Sequence, residues 1–572
     1  MTRLERQQEW RQFRLLARDG VRSLLNSAML ARDADPAQFA LWTTALVATP
    51  PAMFGFGQLF KYSRLRSEPA EVVAAIVRAD RMFFVVYGLI AAALLAALTW
   101  DALYLERDEQ EILGALPVRP RTATAARLAA ALTVATAFAV AISLPSGLTF
   151  ALVSVSHPIA GFLPLAFLAH VVATTLGCVT AFTVLVMFRG LASLALGQTW
   201  TNRLATLLQL VTVIALVEVF FYLPSLLPRL VDVMNDGGPG AWWVPPAWFG
   251  AIYNGIAGPR LDVYAAESWH GLAALGFALL LVVPLYLLPA RALAQRILES
   301  APGGRQLSSV ATLLRTASAA VARSGPGGSV ARFALLSLVR SRKHVLLVVT
   351  YVGAGVALAL IEVLASSVRG GLRLGTPRPA LLAIPLILVC ALTGGVRAAF
   401  RLPRDFDANW VFRLHPPTPL QAASGARSAL LLGGVLPVVI FTILGAQAVG
   451  WPLGATLIAS VLSLLAGVLV VQGLLFGWST IPFGCARPDN HRTMQTQWLA
   501  AAGPFLIFVL GGSAVLTRAV RTPLFALEAG GALILSIALL AFLSRRRLRH
   551  AVIPFDRPAV ALNVLELSEA AR

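Results

Sequence analysis

Residues 82–100 read MFFVVYGLIAAALLAALTW, a run of nineteen residues without a charged side chain. As a helix rising 1.5 Å per residue, such a run crosses the roughly 30 Å hydrocarbon core of a bilayer. A transmembrane β-strand would need only about ten residues and would alternate in polarity, which this run does not. Because backbone polar groups have no water partners inside a bilayer, the run predicts a membrane-spanning α-helix.

Comparable apolar runs recur along the chain of 572 residues. The predicted spans are 38–60, 82–104, 126–152, 161–188, 205–226, 270–290, 344–364, 380–399, 428–448, 452–480, 497–517 and 523–544. The composition agrees, since 58% of the residues are hydrophobic and only 13% are charged, against about 25% charged in a typical soluble domain. The predicted fold class is all-α, a polytopic transmembrane helical bundle of about twelve spans.

A weak internal repeat divides this bundle. Pro117 and Pro417 are 417 − 117 = 300 residues apart, and Arg127 and Arg427 keep the same offset. The segment 301–330, rich in Gly, Pro and Ser, has the composition of a linker. The sequence therefore predicts two pseudo-repeated six-helix halves. The predicted domains are a cytoplasmic amphipathic segment 1–37, a first membrane half 38–300, a cytoplasmic linker 301–330, a second half 331–545 and a cytoplasmic tail 546–572.

The formal charge of +20 is interpreted as membrane topology and not as nucleic-acid binding. Basic residues gather at the ends of apolar runs, and Arg545, Arg546 and Arg547 directly follow the last one. The positive-inside rule then places the C-terminus in the cytoplasm, and an even number of spans places the N-terminus there too. One basic group conflicts with this topology, because it falls in a loop predicted to lie outside: Lys61, Arg64, Arg66, Arg78 and Arg81. A first apolar segment that does not fully cross would remove the conflict.

Sequence motifs for catalysis are missing. The chain has no Gly-x-x-x-x-Gly-Lys-Ser/Thr phosphate loop, so it is not expected to hydrolyse ATP. The metalloprotease, hydrolase and redox motifs His-Glu-x-x-His, Gly-x-Ser-x-Gly and Cys-x-x-Cys are also missing. Cys178, Cys390 and Cys485 are too scattered to suggest a metal site or a disulfide framework. No enzyme activity, metal or cofactor is predicted for the chain itself.

The segment 107–120, RDEQEILGALPVRP, is the most informative stretch for function. Ile112, Leu113 and Leu116 recur at helical spacing beside acidic residues, which predicts a short amphipathic helix. Pro117 ends it, since the residue before a proline is pushed out of the helical region. A helix of this kind could dock in the groove of a partner protein. The alternative is an ordinary polar loop.

This segment resembles the coupling helix of type-2 ABC exporter permeases, in which acidic residues and an apolar pair precede Leu-Pro-Val. The resemblance implies a loop that docks on a separate ATP-binding subunit, which would bind the ATP. It assigns the coupling role to Asp108, Glu111, Leu113, Leu116 and Pro117. The corresponding segment of the second half contains Asp405, Asp407, Trp410, Pro416 and Pro417. This second segment departs from the family pattern, which leaves its docking open.

Two further segments resemble parts of such permeases. The stretch 242–249, WWVPPAWF, is similar to the short re-entrant helices that these proteins carry on the outer side. An interfacial aromatic belt is the alternative for its residues, Trp243, Pro245, Pro246 and Trp248. The stretch 333–343 resembles the amphipathic elbow that precedes the first span of a permease half.

Ionisable residues within spans are candidates for function because the bilayer penalises charge. Glu218 and His170 are the candidates for lining a transport pathway, and a satisfied interhelical hydrogen bond is the alternative for Glu218. Glu362 and Glu528 lie nearer the ends of their spans.

The favoured interpretation is a permease of an ATP-driven exporter in a bacterial cytoplasmic membrane. It would move an unidentified substrate by alternating access, with energy from a partner ATPase. An ion-coupled secondary transporter is the first alternative, since twelve spans in two halves also suit that class. A membrane-embedded enzyme acting on lipids or glycans is the second. Its nearest polar cluster would be Arg404, Asp405, Asp407, Asn409 and His415.

Overall fold

The computed structural model describes most of the chain. The described residues are 3–27, 36–65, 68–99, 103–104, 107–154, 162–236, 238, 240–258, 262–299, 325–370, 375–402, 412, 414, 416–484 and 491–553. The structure is all-helical, with 89% helix and no strand in the described parts. The predicted all-α class is therefore confirmed.

The chain divides into two compact units, Met1–Gly304 and Arg305–Arg572. The helices of the first unit are α1 (Arg3–Ser27), α2 (Pro36–Arg64), α3 (Ala70–Thr99), α4 (Arg107–Gly114), α5 (Pro120–Ser154), α6 (Leu163–Asp236), α7 (Pro245–Ala257), α8 (Asp262–Leu287) and α9 (Ala290–Glu299). A single 3₁₀ turn, Ala241–Trp243, precedes α7.

The helices of the second unit are α10 (Pro326–Arg340), α11 (Arg342–Gly370), α12 (Pro379–Phe400), α13 (Pro419–Leu430), α14 (Leu436–Ala448), α15 (Leu453–Leu474), α16 (His491–Arg521) and α17 (Pro523–Leu548). One turn of π-helix, Leu431–Val435, joins α13 to α14. Helix α10 begins at Pro326, within the last five residues of the predicted linker 301–330.

Ten helices in the described parts are long and apolar enough to cross a membrane, so the chain is a multi-pass membrane protein. They coincide with ten of the twelve predicted spans. The predicted span 205–226 falls on a kinked pair, Leu208–Leu223 and Ser225–Asp236, bent by 86°. The break falls at a proline, as sharp helix kinks usually do. The predicted span 38–60 lies in α2, which is not among the ten. Twelve spans therefore remain a prediction.

Helix α3 begins twelve residues before the predicted span, and this corrects the loop assignment of two arginines. Arg78 and Arg81 lie inside α3 and not in a loop. The helix tolerates charge here because the neighbouring Asp80 is paired: its carboxylate oxygens lie 2.7 and 2.8 Å from Lys61 Nζ and accept a 3.1 Å bond from the Tyr62 hydroxyl. Among the basic residues that conflicted with the predicted topology, Lys61 is thus neutralised by an ion pair within the fold.

Each unit has a helix that packs closely on the span following the predicted coupling segment. In the first unit α1 packs on α5, and a Cβ at Gly20 would lie 3.0 Å from Ala130 Cβ. In the second unit α10 packs on α13. Small residues make this contact, and a Cβ at Gly425 would lie 2.5 Å from the Gly327 carbonyl oxygen. The predicted elbow 333–343 covers the end of α10 and the start of α11.

The two units differ where α7 lies. In the first unit the short helix α7 stands between the bent α6 and α8. In the second unit Thr522 alone separates α16 from α17, so the continuous described stretch 491–553 has no helix corresponding to α7.

Candidate functional site

The predicted coupling segment forms a short helix with an exposed apolar edge. Helix α4 runs from Arg107 to Gly114 and is followed by a turn in which the Leu116 N–H donates to the Leu113 carbonyl at 3.1 Å. Ile112 and Leu116 are 66% and 51% exposed, whereas Leu113 is half-buried. Two large apolar side chains so exposed on one short segment have the character of a contact surface for another protein.

Glu109 holds α4 against the rest of the first unit. Its Oε1 lies 3.5 Å from Nη1 of the buried Arg127 on α5 and 3.4 Å from the Ser23 hydroxyl on α1. Helix α4 also packs against α9. Glu109 therefore faces the protein, whereas Ile112 and Leu116 are exposed.

Helix α1 holds the turn that follows α4. Gln12 Nε2 donates to the Pro117 carbonyl at 3.2 Å. Glu9 accepts a 3.0 Å bond from the Thr122 hydroxyl and lies 3.5 Å from Arg119 Nη1. These contacts join α1 to the start of α5, so α1, α4 and α5 form one connected structure.

A groove of about 150 Å³ opens between these three helices. Its lining combines apolar side chains with both charges of the Glu109–Arg127 pair. The lining residues are Leu16, Asp19, Gly20, Glu109, Ile112, Leu113, Ala123 and Arg127. The groove continues the exposed apolar edge of α4, because Ile112 belongs to both.

The other predicted coupling residues are placed as follows. Glu111 is exposed on α4 and Pro117 is exposed in the turn, while the side chain of Asp108 lies outside the described part. In the second unit Pro416 is exposed and Pro417 is half-buried, directly before the Thr418 cap of α13. The remaining members of the second segment, Asp405, Asp407 and Trp410, lie outside the described residues, as do Arg404, Asn409 and His415.

The predicted outer segment combines an exposed aromatic edge with a buried helix. Trp243 is 86% exposed, whereas Trp248 is half-buried and donates its indole N–H to the Ala241 carbonyl at 2.9 Å. Pro245 and Pro246 open α7 at positions where a missing N–H costs nothing. At thirteen residues, about 20 Å, α7 is too short to cross a bilayer, yet it is buried against α3, α6 and α8.

His170 is fully buried and joins three helices. Its Nδ1 lies 3.0 Å from the Tyr253 hydroxyl on α7, and its Nε2 lies 2.9 Å from the Ser146 hydroxyl on α5. The Ser146 hydroxyl donates to the Ile142 carbonyl at 2.9 Å, which leaves its oxygen to accept from Nε2. With the ring proton on Nε2, Nδ1 accepts from the Tyr253 hydroxyl. In this conformation His170 connects helices and does not face an open pathway.

Arg81 connects α3 to the C-terminal end of α7. Its guanidinium donates to Asn254 Oδ1 at 2.9 Å and to the Ala257 carbonyl at 3.4 Å. A cation at this end of a helix is favoured, because the last carbonyls carry partial negative charge. Together with His170, Arg81 fixes α7 at both its middle and its end.

Glu218 has a different environment from His170. Both of its carboxylate oxygens are shielded from solvent, and neither accepts a hydrogen bond from the described residues. The interhelical hydrogen bond considered as the alternative for Glu218 is not seen among the described residues.

Glu109, Arg127, Glu9 and Gln12 were not predicted as part of the site. No group of three or more His, Cys, Asp or Glu within the described part of the chain is arranged to hold a metal ion. No protein-family model matches the sequence, and no significant similarity to a curated protein or to a solved structure was found.

Proposed function

We propose that this chain is the membrane permease of an ATP-driven exporter, energised by a separate ATP-binding subunit that docks on α4. The observation that carries the proposal is the exposed edge of Ile112 and Leu116 on a segment fixed from behind by Glu109. A contact that transmits force needs an apolar surface that binds the partner and a fixed attachment to the rest of the protein. Ile112 and Leu116 provide the first, and Glu109 provides the second. The resemblance to type-2 permeases supports the same assignment.

In this proposal a movement of α4 reaches the membrane through two connections. The Glu109–Arg127 pair carries it into α5, and the bonds of Gln12 and Glu9 carry it into α1. Alternating access then follows from tilting of α5 and of the helices packed on it. The chain would lie in a bacterial cytoplasmic membrane with about twelve spans in two halves and with both termini inside.

The substrate pathway is assigned to the surroundings of Glu218. A shielded carboxylate without a hydrogen-bond partner among the described residues is costly within a membrane, so a function is the best reason for its presence. The same observation favours the second candidate, an ion-coupled secondary transporter in which Glu218 binds the coupling cation or proton.

Purification of the tagged chain from native membranes tests the proposal. The wild-type chain is expected to bring down an ATP-binding protein, and the variant Ile112→Asp/Leu116→Asp to lose it. Each aspartate would place a charge in the apolar centre of the proposed interface. The binding energy that this centre contributes would then be lost. The measurement is the amount of co-purified ATPase relative to the tagged chain.

Val552→Asp is the matched control, because Val552 is also an exposed apolar residue and belongs to the other unit. This variant is expected to keep the ATPase. If wild type and both variants yield no ATP-binding protein in mild detergent, the proposal fails. Ion-gradient-driven uptake by wild type but not by Glu218→Gln would then establish the second candidate.

A further inference from the structure

Helix α1 carries different side chains on its two faces. Towards α5 it presents Glu9, Gln12, Gly20 and Leu24, which are buried or bonded to the protein. The opposite face carries arginines spaced three and four residues apart, which places them along one side of a helix. They are Arg11, Arg14, Arg18 and Arg22, and all four are exposed.

These four arginines have no bonding partner among the described residues. None of them takes part in a hydrogen bond or ion pair there, although Glu9 on the same helix pairs with Arg119. Trp10 and Leu15, both at least 60% exposed, flank the arginine face on its two sides. Asp19 is exposed as well, but it lies on the groove beside α4.

One end of α1 packs on three of the apolar helices that are long enough to span a membrane. Leu24, near its C-terminal end, packs in a cluster with Ala96 at the end of α3 and with Val186 and Val282 of two other spans. The other end reaches Pro117 and Thr122, beside α4. The helix therefore extends from the ends of the spans to the proposed coupling segment.

We propose that the arginine face of α1 binds the anionic phospholipid headgroups of the cytoplasmic leaflet and thereby holds α4 in place. A row of exposed arginines flanked by tryptophan and leucine matches a surface with phosphates outside and acyl chains beneath. Arginine suits phosphate because its planar guanidinium donates two parallel hydrogen bonds. This inference uses the proposed cytoplasmic placement of α1 and does not depend on an ATPase partner.

The test is hydrogen–deuterium exchange of the full chain in two kinds of nanodisc, one of phosphatidylcholine and one of a phosphatidylcholine–phosphatidylglycerol mixture. Amides of 3–27 are expected to exchange several-fold more slowly in the anionic discs, and high salt to abolish the difference. Peptides covering α10 serve as the internal reference. The combined change of Arg11, Arg14, Arg18 and Arg22 to glutamine is expected to abolish the difference, and their change to lysine to retain it.

A charge-matched control removes four exposed arginines elsewhere, by the changes Arg229→Gln, Arg291→Gln, Arg521→Gln and Arg546→Gln. This control should keep the slow exchange of α1. Equal exchange of wild-type α1 in both discs overturns the proposal, and so does a difference that survives the four glutamines on α1. If the amides of α1 exchange slowly only when an acidic protein is added, and not with anionic lipid, the arginine face of α1 binds a protein partner instead.

Discussion

Replacing Gly425 with valine is expected to destabilise the second unit more than any other single change considered. Even the Cβ would lie 2.5 Å from the Gly327 carbonyl oxygen and 2.6 Å from Val330 Cβ. The first of these neighbours is backbone, so α10 and α13 must separate, and the small buried residues between them lose contact. Overpacking of a tight core costs about 3 kcal/mol at the upper end of its usual range.

The measurement is the fraction of monodisperse protein after heating in detergent, followed by size-exclusion chromatography. Gly445→Val on α14 is the matched control, because a Cβ at this half-buried glycine would have no atom within 4 Å. The control should melt within a degree or two of wild type, whereas Gly425→Val should melt many degrees lower. Equal melting of the two variants would show that α10 does not pack on α13 as described.

Replacing Asp80 with leucine is expected to produce the second-largest effect, in the first unit. The change leaves the Lys61 ammonium without its carboxylate and the Tyr62 hydroxyl without its acceptor. Removing one partner of a fully buried pair costs about 3–5 kcal/mol. Because the Lys61 side chain is 40% exposed and can turn towards headgroups, about 2 to 3 kcal/mol is expected here.

A double-mutant cycle separates the contribution of the Lys61–Asp80 ion pair to stability from the effect of the change in side-chain volume. Lys61→Met/Asp80→Leu leaves no unpaired charge, so it should recover most of the stability lost in Asp80→Leu. The readout is again thermal unfolding in detergent. If the double variant melts as low as Asp80→Leu, the pair does not account for the tolerance of α3 for charge near its start.

The long apolar runs were sufficient to predict ten helices that are long and apolar enough to cross a membrane, because the backbone of such a run satisfies its polar groups internally as a helix. Where prediction failed, the cause was a contact between residues distant in sequence. The predicted span began at residue 82, and Arg78 and Arg81 were assigned to the loop before it. The partner of Arg81, Asn254, lies 173 residues away, and Lys61, the partner of the neighbouring Asp80, lies 19 residues from it. Neither contact can be recognised from composition.

In the candidate site, too, the local pattern was predicted from the sequence and the contacts with distant residues were not. The spacing of Ile112, Leu113 and Leu116 predicted a short helix here, and the structure contains it, although α4 ends at Gly114 and Leu116 lies in the turn that follows. Its support by Glu109 was not identified, since an acidic residue in an acidic segment gives no sign of which carboxylate turns inward. For His170 nothing in the sequence indicates its neighbours, because its contacts with Ser146 and Tyr253 join three separate helices.

Site-specific photo-crosslinking at position 112 in native membranes tests the proposed docking most directly. Benzoylphenylalanine in place of Ile112 should form a light-dependent adduct with a protein that carries a phosphate loop and hydrolyses ATP. The same probe in place of Val552 should form no such adduct. An Ile112-substituted chain that folds and inserts normally, but whose adducts never include an ATP-binding protein, would contradict the assignment of α4 as the coupling segment.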